Sequence, residues 1–271
     1  MHGEPELAGQ VALVTGAAGA IGRAMCRRFL DEGAKLVLVD NHAARLAAFE
    51  QELSSKFSDA DYHVQLADVR RTKEVRQAFR KTLELFTRLD ILVNNAGVTQ
   101  IKPIDQLSDA DIDYIIDTNL KGYVRCAREA VRIMKERNTK GSLLFVSSKN
   151  GLLGASDKSL YSASKGGEIT MARGLARELG AFGIRVNTIC PDAVLAGSSL
   201  WEQGAGYLEQ TAKRYSIPIE EVPEYYRKRC ALHTDIRAED VAEAAVFLVS
   251  QRAAKITGNI MTVDGGVAFV R

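Results

Sequence analysis

Cysteine is scarce in this sequence, 4 in 271 residues, and histidine is equally scarce at 4. Cys26, Cys126, Cys190 and Cys230 lie far apart and form no C-x-x-C pair, so a disulfide scaffold and a zinc module are both excluded as readings. No metal site is expected. Only 5 prolines occur, and no Gly/Ser/Pro-rich stretch divides the chain, which argues against a disordered, collagen-like or linker-joined protein. No apolar run reaches the roughly 20 residues needed to cross a bilayer. The opening residues, Met1 to Glu6, lack the basic-then-apolar order of a secretory signal. A reducing, cytoplasmic setting without membrane contact is therefore expected. Neither sign of charge is in excess: 36 Lys and Arg face 34 Asp and Glu, a net of +2. Nucleic-acid binding needs a concentrated basic face, so no nucleic-acid partner is expected.

What is present is an ordinary globular mixture, 46% hydrophobic and 26% charged. Short β-branched runs alternate with helix-period segments. The runs are Val11–Val14, Lys35–Asp40, His63–Ala67, Asp90–Asn94, Ser142–Ser147, Ile184–Ile189 and Ile260–Val263. Strands this apolar, each followed by a helix, imply parallel pairing buried on both faces. The longest helical pattern, Ser108–Arg137, has acids in its first half and bases in its second, which complements the helix dipole. That charge split reads as structural.

Between the first strand and first helix stands Thr15-Gly-Ala-Ala-Gly-Ala-Ile-Gly22. Glycines at Gly16, Gly19 and Gly22 let the backbone turn tightly and approach a pyrophosphate at the helix N-terminus, where Ala20 and Ile21 sit. Asp40 ends the second strand. A carboxylate there can accept from an adenosine ribose 2′-OH and repels a 2′-phosphate, which favours NAD over NADP. The bland alternative is a helix N-cap. Tyr161 and Lys165, four apart, share one helical face just past the end of the fifth strand. Together these features predict the α/β class: a doubly wound Rossmann-type fold with a central parallel sheet of about seven strands, residues 1–271 forming one domain.

At this point the sequence resembles the short-chain dehydrogenases/reductases from about Gly9 to Val267. The resemblance also rests on Asp68-Val69, Asn94-Asn95-Ala96-Gly97, Asn119, Ser147-Ser148 and Asp264-Gly265-Gly266. It implies catalysis by Asn119, Ser148, Tyr161 and Lys165, with Tyr161 as proton acceptor in oxidation and donor in reduction. Unperturbed tyrosine titrates near pKa ~10. The Lys165 ammonium and an oxidised nicotinamide are expected to lower that value. Lys165 would also hold the nicotinamide ribose, Ser148 the substrate oxygen, and Asn119 a water. Gly16, Gly19, Ala20, Ile21, Gly22, Asp40, Asp68, Val69, Asn95, Ala96, Gly97, Pro191 and Val194 complete the expected cofactor contacts. The family commonly forms homo-oligomers, tetramers or dimers. Asn119 also admits a plainer reading as a tolerated mid-helix amide, but its apolar neighbours Ile112, Ile115, Ile116 and Leu120 turn it inward.

The pattern departs from the family after the sixth strand. Asp192 replaces the usual glycine and Ala196 the usual threonine, which leaves Val194's backbone and Ser198 or Ser199 to serve the carboxamide. Pro191-Asp-Ala-Val-Leu195, then Gly197-Ser198 and Trp201, is similar to the dehydrogenase half of rhamnulose-phosphate aldolase/alcohol dehydrogenase fusions and to related sugar and polyol dehydrogenases. The aldolase half is expected to be absent. Residues 197–234 read as a substrate lid with Trp201, Tyr207, Tyr215, Tyr225 and Tyr226 as walls. Its Lys213, Arg214, Arg227, Lys228 and Arg229 read as solvated, the usual fate of such side chains, with an anionic (phosphorylated or acidic) sugar as the less favoured alternative. Lys149, Asn150, Asp192, Ser198 and Trp201 are the expected substrate contacts. The function expected is NAD-dependent hydride transfer to or from a small sugar, polyol or hydroxyaldehyde. Two alternatives remain: an NADPH-dependent carbonyl or 3-oxoacyl reductase, which ordinarily shows bases near the adenosine ribose, and a catalytically silent NAD-binding regulator or scaffold, which ordinarily lacks the Tyr or Lys.

Overall fold

Five consecutive residues of the first strand, Val11–Thr15 (β1), are buried, the mark of a strand covered on both faces. A computed structural model describes residues 5–198, 201 and 206–268. In chain order β1 is followed by α1 (Ala20–Asp31), β2 (Lys35–Asp40), α2 (Ala43–Ser54), β3 (Tyr62–Leu66), α3 (Thr72–Phe86) and β4 (Ile91–Asn94). Then come α4 (Asp109–Ile115), α5 (Gly122–Glu136), β5 (Ser142–Val146), the single turn α6 (Asn150–Leu153), α7 (Ser159–Leu179) and β6 (Arg185–Pro191). The last elements are α8 (Tyr207–Tyr215), α9 (Val222–Arg229), α10 (Ala238–Val249) and β7 (Ile260–Val263).

The strands form one seven-stranded parallel sheet in the order β3-β2-β1-β4-β5-β6-β7. One face is buried under α1, α2 and α10 around Phe29, Phe49 and Val241. The other is buried under α3, α5 and α7 around Phe79, Tyr123 and Ala172. The expected doubly wound Rossmann-type architecture is the one observed. The strand order reverses between β1 and β4, and ligands of such sheets bind beyond the strands' carboxyl ends at that point. Among the described residues no helix is long and apolar enough to cross a membrane.

One element differs from the sequence reading. The helix expected over Ser108–Arg137 is interrupted: residues Ile116–Lys121 make a π-helical turn between α4 and α5. Such bulges insert an extra residue and re-aim side chains, often at functional sites. The side chain re-aimed here is Asn119, which is fully buried. The helix start is conventional, since Ser108 Oγ accepts from the Asp111 N–H at 3.2 Å and Asp111 accepts from the Ser108 N–H at 2.9 Å.

Candidate active site

The glycine turn after β1 is built for close approach. Gly16 has φ +64°, and a Cβ there would lie 2.8 Å from Ala96 Cα. A Cβ on Gly22 would lie 2.1 Å from the Gly16 carbonyl oxygen. Gly19 stands at the N-terminus of α1 without a side-chain cap, and no acid occupies the first turn. The backbone of Ala20, Ile21 and Gly22 therefore opens on the cleft with its positive dipole end unshielded. Asn95 lashes the β4 loop to this turn: its Nδ2 donates to the carbonyls of Thr15 and Gly16, both at 3.0 Å. Thr15 Oγ1 in turn accepts from the N–H groups of Asn95 and Ala96 at 3.0 and 3.2 Å.

Asp40 is not the N-cap of α2; His42 is, accepting from the Arg45 N–H at 3.3 Å. The Asp40 carboxylate instead accepts from the N–H groups of Ala18 and His42, both at 3.0 Å, and faces the cleft. Arg23 pairs with Glu52 outside the cleft lining, whereas Arg45 lines the cleft, as Asp40 does. Asp68 is pinned by Arg70, 2.6 Å away. Burial opposes its ionisation, but the Arg70 guanidinium holds the carboxyl below its ordinary range. Val69 and Gly97 also line this part of the cleft.

At the other end Ser148, Tyr161 and Lys165 converge. Ser148 follows β5, accepts from the Asn150 N–H at 3.1 Å, and lines the cleft with Tyr161. Tyr161 and Lys165 lie on α7, as expected. Asn119 reaches the same region by a different route: its Oδ1 accepts from the Val98 N–H at 2.8 Å, and its Nδ2 donates to Val98 O at 2.9 Å and Ser164 Oγ at 3.0 Å. It thereby fixes the β4 loop against α7. Ser147 turns away from the cleft's chemistry and donates to the Lys165 carbonyl at 2.9 Å.

The expected electrostatics of Tyr161 need correction. Its phenol is pushed up: burial dominates, the Ser148 hydroxyl pulls it down, and Glu168, Cys190 and Asp192 push it further up. The Lys165 ammonium is engaged elsewhere. It donates to Val146 O at 3.0 Å, and the two carboxylate oxygens of Glu168 lie 2.9 and 3.1 Å away. Glu168 is fully buried, and burial pushes its carboxyl up to about 8 against the pull of Lys165. Sequence reasoning passed over Glu168. Its signal was an acid one turn after Lys165 on the same helix face as Ile169 and Ala172, where apolar residues belong.

The substrate side holds a second correction. Asp192 is not free: its carboxylate pairs with Arg229 at 2.5 Å and with Lys149 at 3.5 Å. Of the charges read as solvated, Lys213 and Lys228 are exposed, but Arg214 and Arg229 line the cleft. Packing against rings accounts for this, since Arg229 lies 4.4 Å over Tyr226 and Arg214 5.1 Å over Tyr215. Trp201, Tyr207, Tyr215 and Tyr226 form the expected aromatic wall, with Trp201 edge-on to Tyr207 at 4.8 Å. Tyr225 stands behind it against Tyr215. Lys149, Asn150, Pro191, Val194 and Ser198 also line the cleft, and Val194 bridges to Ile236. Ser199 lies outside the described residues, as do parts of the lid expected over 197–234.

One cleft of about 830 Å³ runs from Gly16 and Asp40 to Tyr161 and Trp201. The uncapped helix start, a turn that only glycine fits, and the acceptor carboxylate of Asp40 suit a dinucleotide.

The comparisons agree with this geometry. Residues 10–204 match the family model described as short chain dehydrogenase. The uncharacterized oxidoreductase YuxG of Bacillus subtilis is 40% identical over 99% of this chain, which spans 39% of that protein's length. A 3-oxoacyl-[acyl-carrier-protein] reductase of Thermotoga maritima is 32% identical, covering 97% of this chain and 99% of its own. The crystal structure of sorbitol-6-phosphate 2-dehydrogenase from Erwinia amylovora superposes with TM-score 0.89 and 28% identity over 96% of this chain and 100% of that one.

Proposed function

The chain belongs to the short-chain dehydrogenases/reductases, oxidoreductases of CH–OH and C=O groups, and on that premise we propose that it uses NAD to oxidise or form a hydroxyl on a small sugar, polyol or hydroxyaldehyde. The observation that carries the reading is that Ser148, Tyr161 and Lys165 line one end of a polar cleft whose far end is the Asp40 carboxylate. The likeness to the Erwinia sorbitol-6-phosphate dehydrogenase supports the substrate class.

The dinucleotide would be held by the backbone at Gly16–Gly22, by Asp40, Asp68 and Val69, by the Asn95–Gly97 loop, and by Pro191 and Val194; when bound it supplies the hydride acceptor or donor. Tyr161 exchanges the proton at the substrate oxygen. Its raised pKa keeps the phenol protonated, the form that reduction draws on, and the Ser148 hydroxyl favours the phenolate that oxidation needs. With substrate seated, Ser148 turns its single hydrogen to the substrate oxygen, where charge develops. Lys165 holds its ammonium beneath this pair, fixed by Val146 and Glu168. Asn119 keeps the loop carrying Val98 in register with α7.

A second reading has its own support. The Thermotoga relative is a 3-oxoacyl reductase, and Arg45 lines the cleft near Asp40, where a 2′-phosphate would reach it. Against it stands the Asp40 carboxylate, which repels that phosphate. Side-by-side dissociation constants for NADH and NADPH, together with an NAD-reduction panel of sugars, polyols and apolar alcohols, decide between them. Tighter NADPH binding with turnover of apolar ketones alone refutes the proposal.

A further inference from the structure

The wall of the cleft beyond Tyr161 carries more positive charge than proton transfer at Tyr161 uses. Lys149, Lys158, Arg214 and Arg229 all line it. The acids facing them are few. Asp192 is shared between Lys149 and Arg229. Asp157 approaches Arg214 only to 4.0 Å. Asp264 lies behind Lys149 and gives its oxygens to the N–H groups of Gly266 and Ala268. Glu168, beneath Tyr161, is taken by Lys165.

Lys158 and Arg214 are thus left without a close carboxylate among the described residues. Lys158 is 6% exposed, and its ammonium, with three hydrogens to donate, contacts the Tyr207 hydroxyl. Arg214 donates to Ser156 Oγ at 2.8 Å and keeps most of its fork free. A buried ammonium with so little compensation is costly unless something anionic completes it. The rings of Trp201, Tyr207 and Tyr226 line this corner, and Lys158 is buried there, which strengthens any charge interaction it makes.

We propose that this corner is the subsite for an anionic group on the hydroxylated substrate, a phosphate ester or a carboxylate, held chiefly by Lys158 and Arg214. The inference rests on the oxidoreductase reading above and narrows its substrate class. Lys149 and Arg229 contribute field, while Asp192 limits them and keeps the corner from trapping any anion indiscriminately. Supporting it, burial with Arg214, Lys149 and Arg229 lowers the Lys158 ammonium to about 7 against the pull of Asp192. An anion seated there restores the proton, so binding just above neutral pH takes up a proton.

Calorimetry of the full chain with saturating NADH tests this, comparing sorbitol, sorbitol 6-phosphate and gluconate, with inorganic phosphate as the minimal probe. At least one anion should bind about 10- to 100-fold more tightly than sorbitol, the gain of one or two charge-assisted hydrogen bonds; which one identifies the source of the charge. Arg214→Gln and Lys158→Met should each cut that preference about tenfold, and Arg214→Lys should keep most of it. Arg214 sits nearer the rim, so its variants remain informative where Lys158→Met fails to fold. Equal binding of sorbitol and both anions overturns the subsite, as does a preference that survives Arg214→Gln, or no binding of any of the four probes. Turnover of neutral polyols without anion preference would overturn the subsite and leave the oxidoreductase reading standing. Anion binding with no hydride transfer to or from any hydroxylated substrate would do the reverse.

Discussion

Replacing Glu168 by glutamine removes the charge facing Lys165 while keeping the side chain's shape. Glu168 is wholly buried and Lys165 nearly so. Breaking a buried ion pair costs about 3–5 kcal/mol, because the remaining charge has lost its compensation. Here Val146 O at 3.0 Å still accepts from the ammonium, and the new amide oxygen keeps one further contact. The lower end, about 3 kcal/mol, therefore applies above about pH 8, where Glu168 carries its charge, and the unfolding scan is run there. For a chain of this size that lowers the unfolding midpoint by roughly 6–12 °C. The second effect is on Tyr161. Above about pH 8 Glu168 is ionised and pushes the phenol up; glutamine removes that push. The alkaline limb of the kcat profile for oxidation should then move to lower pH, even though the fold is weaker. Thermal unfolding by circular dichroism and a pH–rate profile measure the two effects, and Glu168→Asp, which keeps the charge, should leave the limb nearer its original place. An unmoved limb together with an unchanged midpoint would refute the view that Glu168 sets the electrostatics beneath Tyr161.

Three further outcomes are expected. Tyr161→Phe should retain NADH binding by fluorescence titration and lose about 10²-fold or more in turnover, since the proton path is gone; undiminished turnover sinks the mechanism. Gly22→Ala places a methyl 2.1 Å from the Gly16 carbonyl, where neither backbone can give way. It should cost about 1–3 kcal/mol of stability and weaken NADH binding in the same titration, and a neutral result contradicts the tight-turn argument. Affinity for the anionic probe should be full below about pH 7 and fall as pH rises through it, because Lys158 adds to the attraction of Arg214 only while protonated; calorimetry across pH 6–9 showing a flat profile would contradict that assignment.

Much of the fold was legible in the chain itself. Val11–Thr15 and Ser142–Val146 are apolar without alternation because both sheet faces are covered, and that periodicity survives any detail of packing. The α7 helix carries Tyr161 and Lys165 one turn apart, as their spacing predicts. The π turn at Asn119 was not legible, because it arises from hydrogen bonds to Val98, twenty-one residues away, and periodicity reports only near neighbours.

The site divides along the same line. Residue order alone sets the backbone machinery: three glycines between strand and helix, an acid at the end of β2, and Tyr161 and Lys165 one helical turn apart. These depend on local geometry, which residue type and spacing dictate. Tertiary structure alone decided how the charges pair. Lys165 meets Glu168 rather than acting on Tyr161 alone, Asp192 is claimed by Lys149 and Arg229, and Arg214 lies in the cleft instead of in solvent. Coulomb interactions depend on distance and burial, and neither is written in the order of residues.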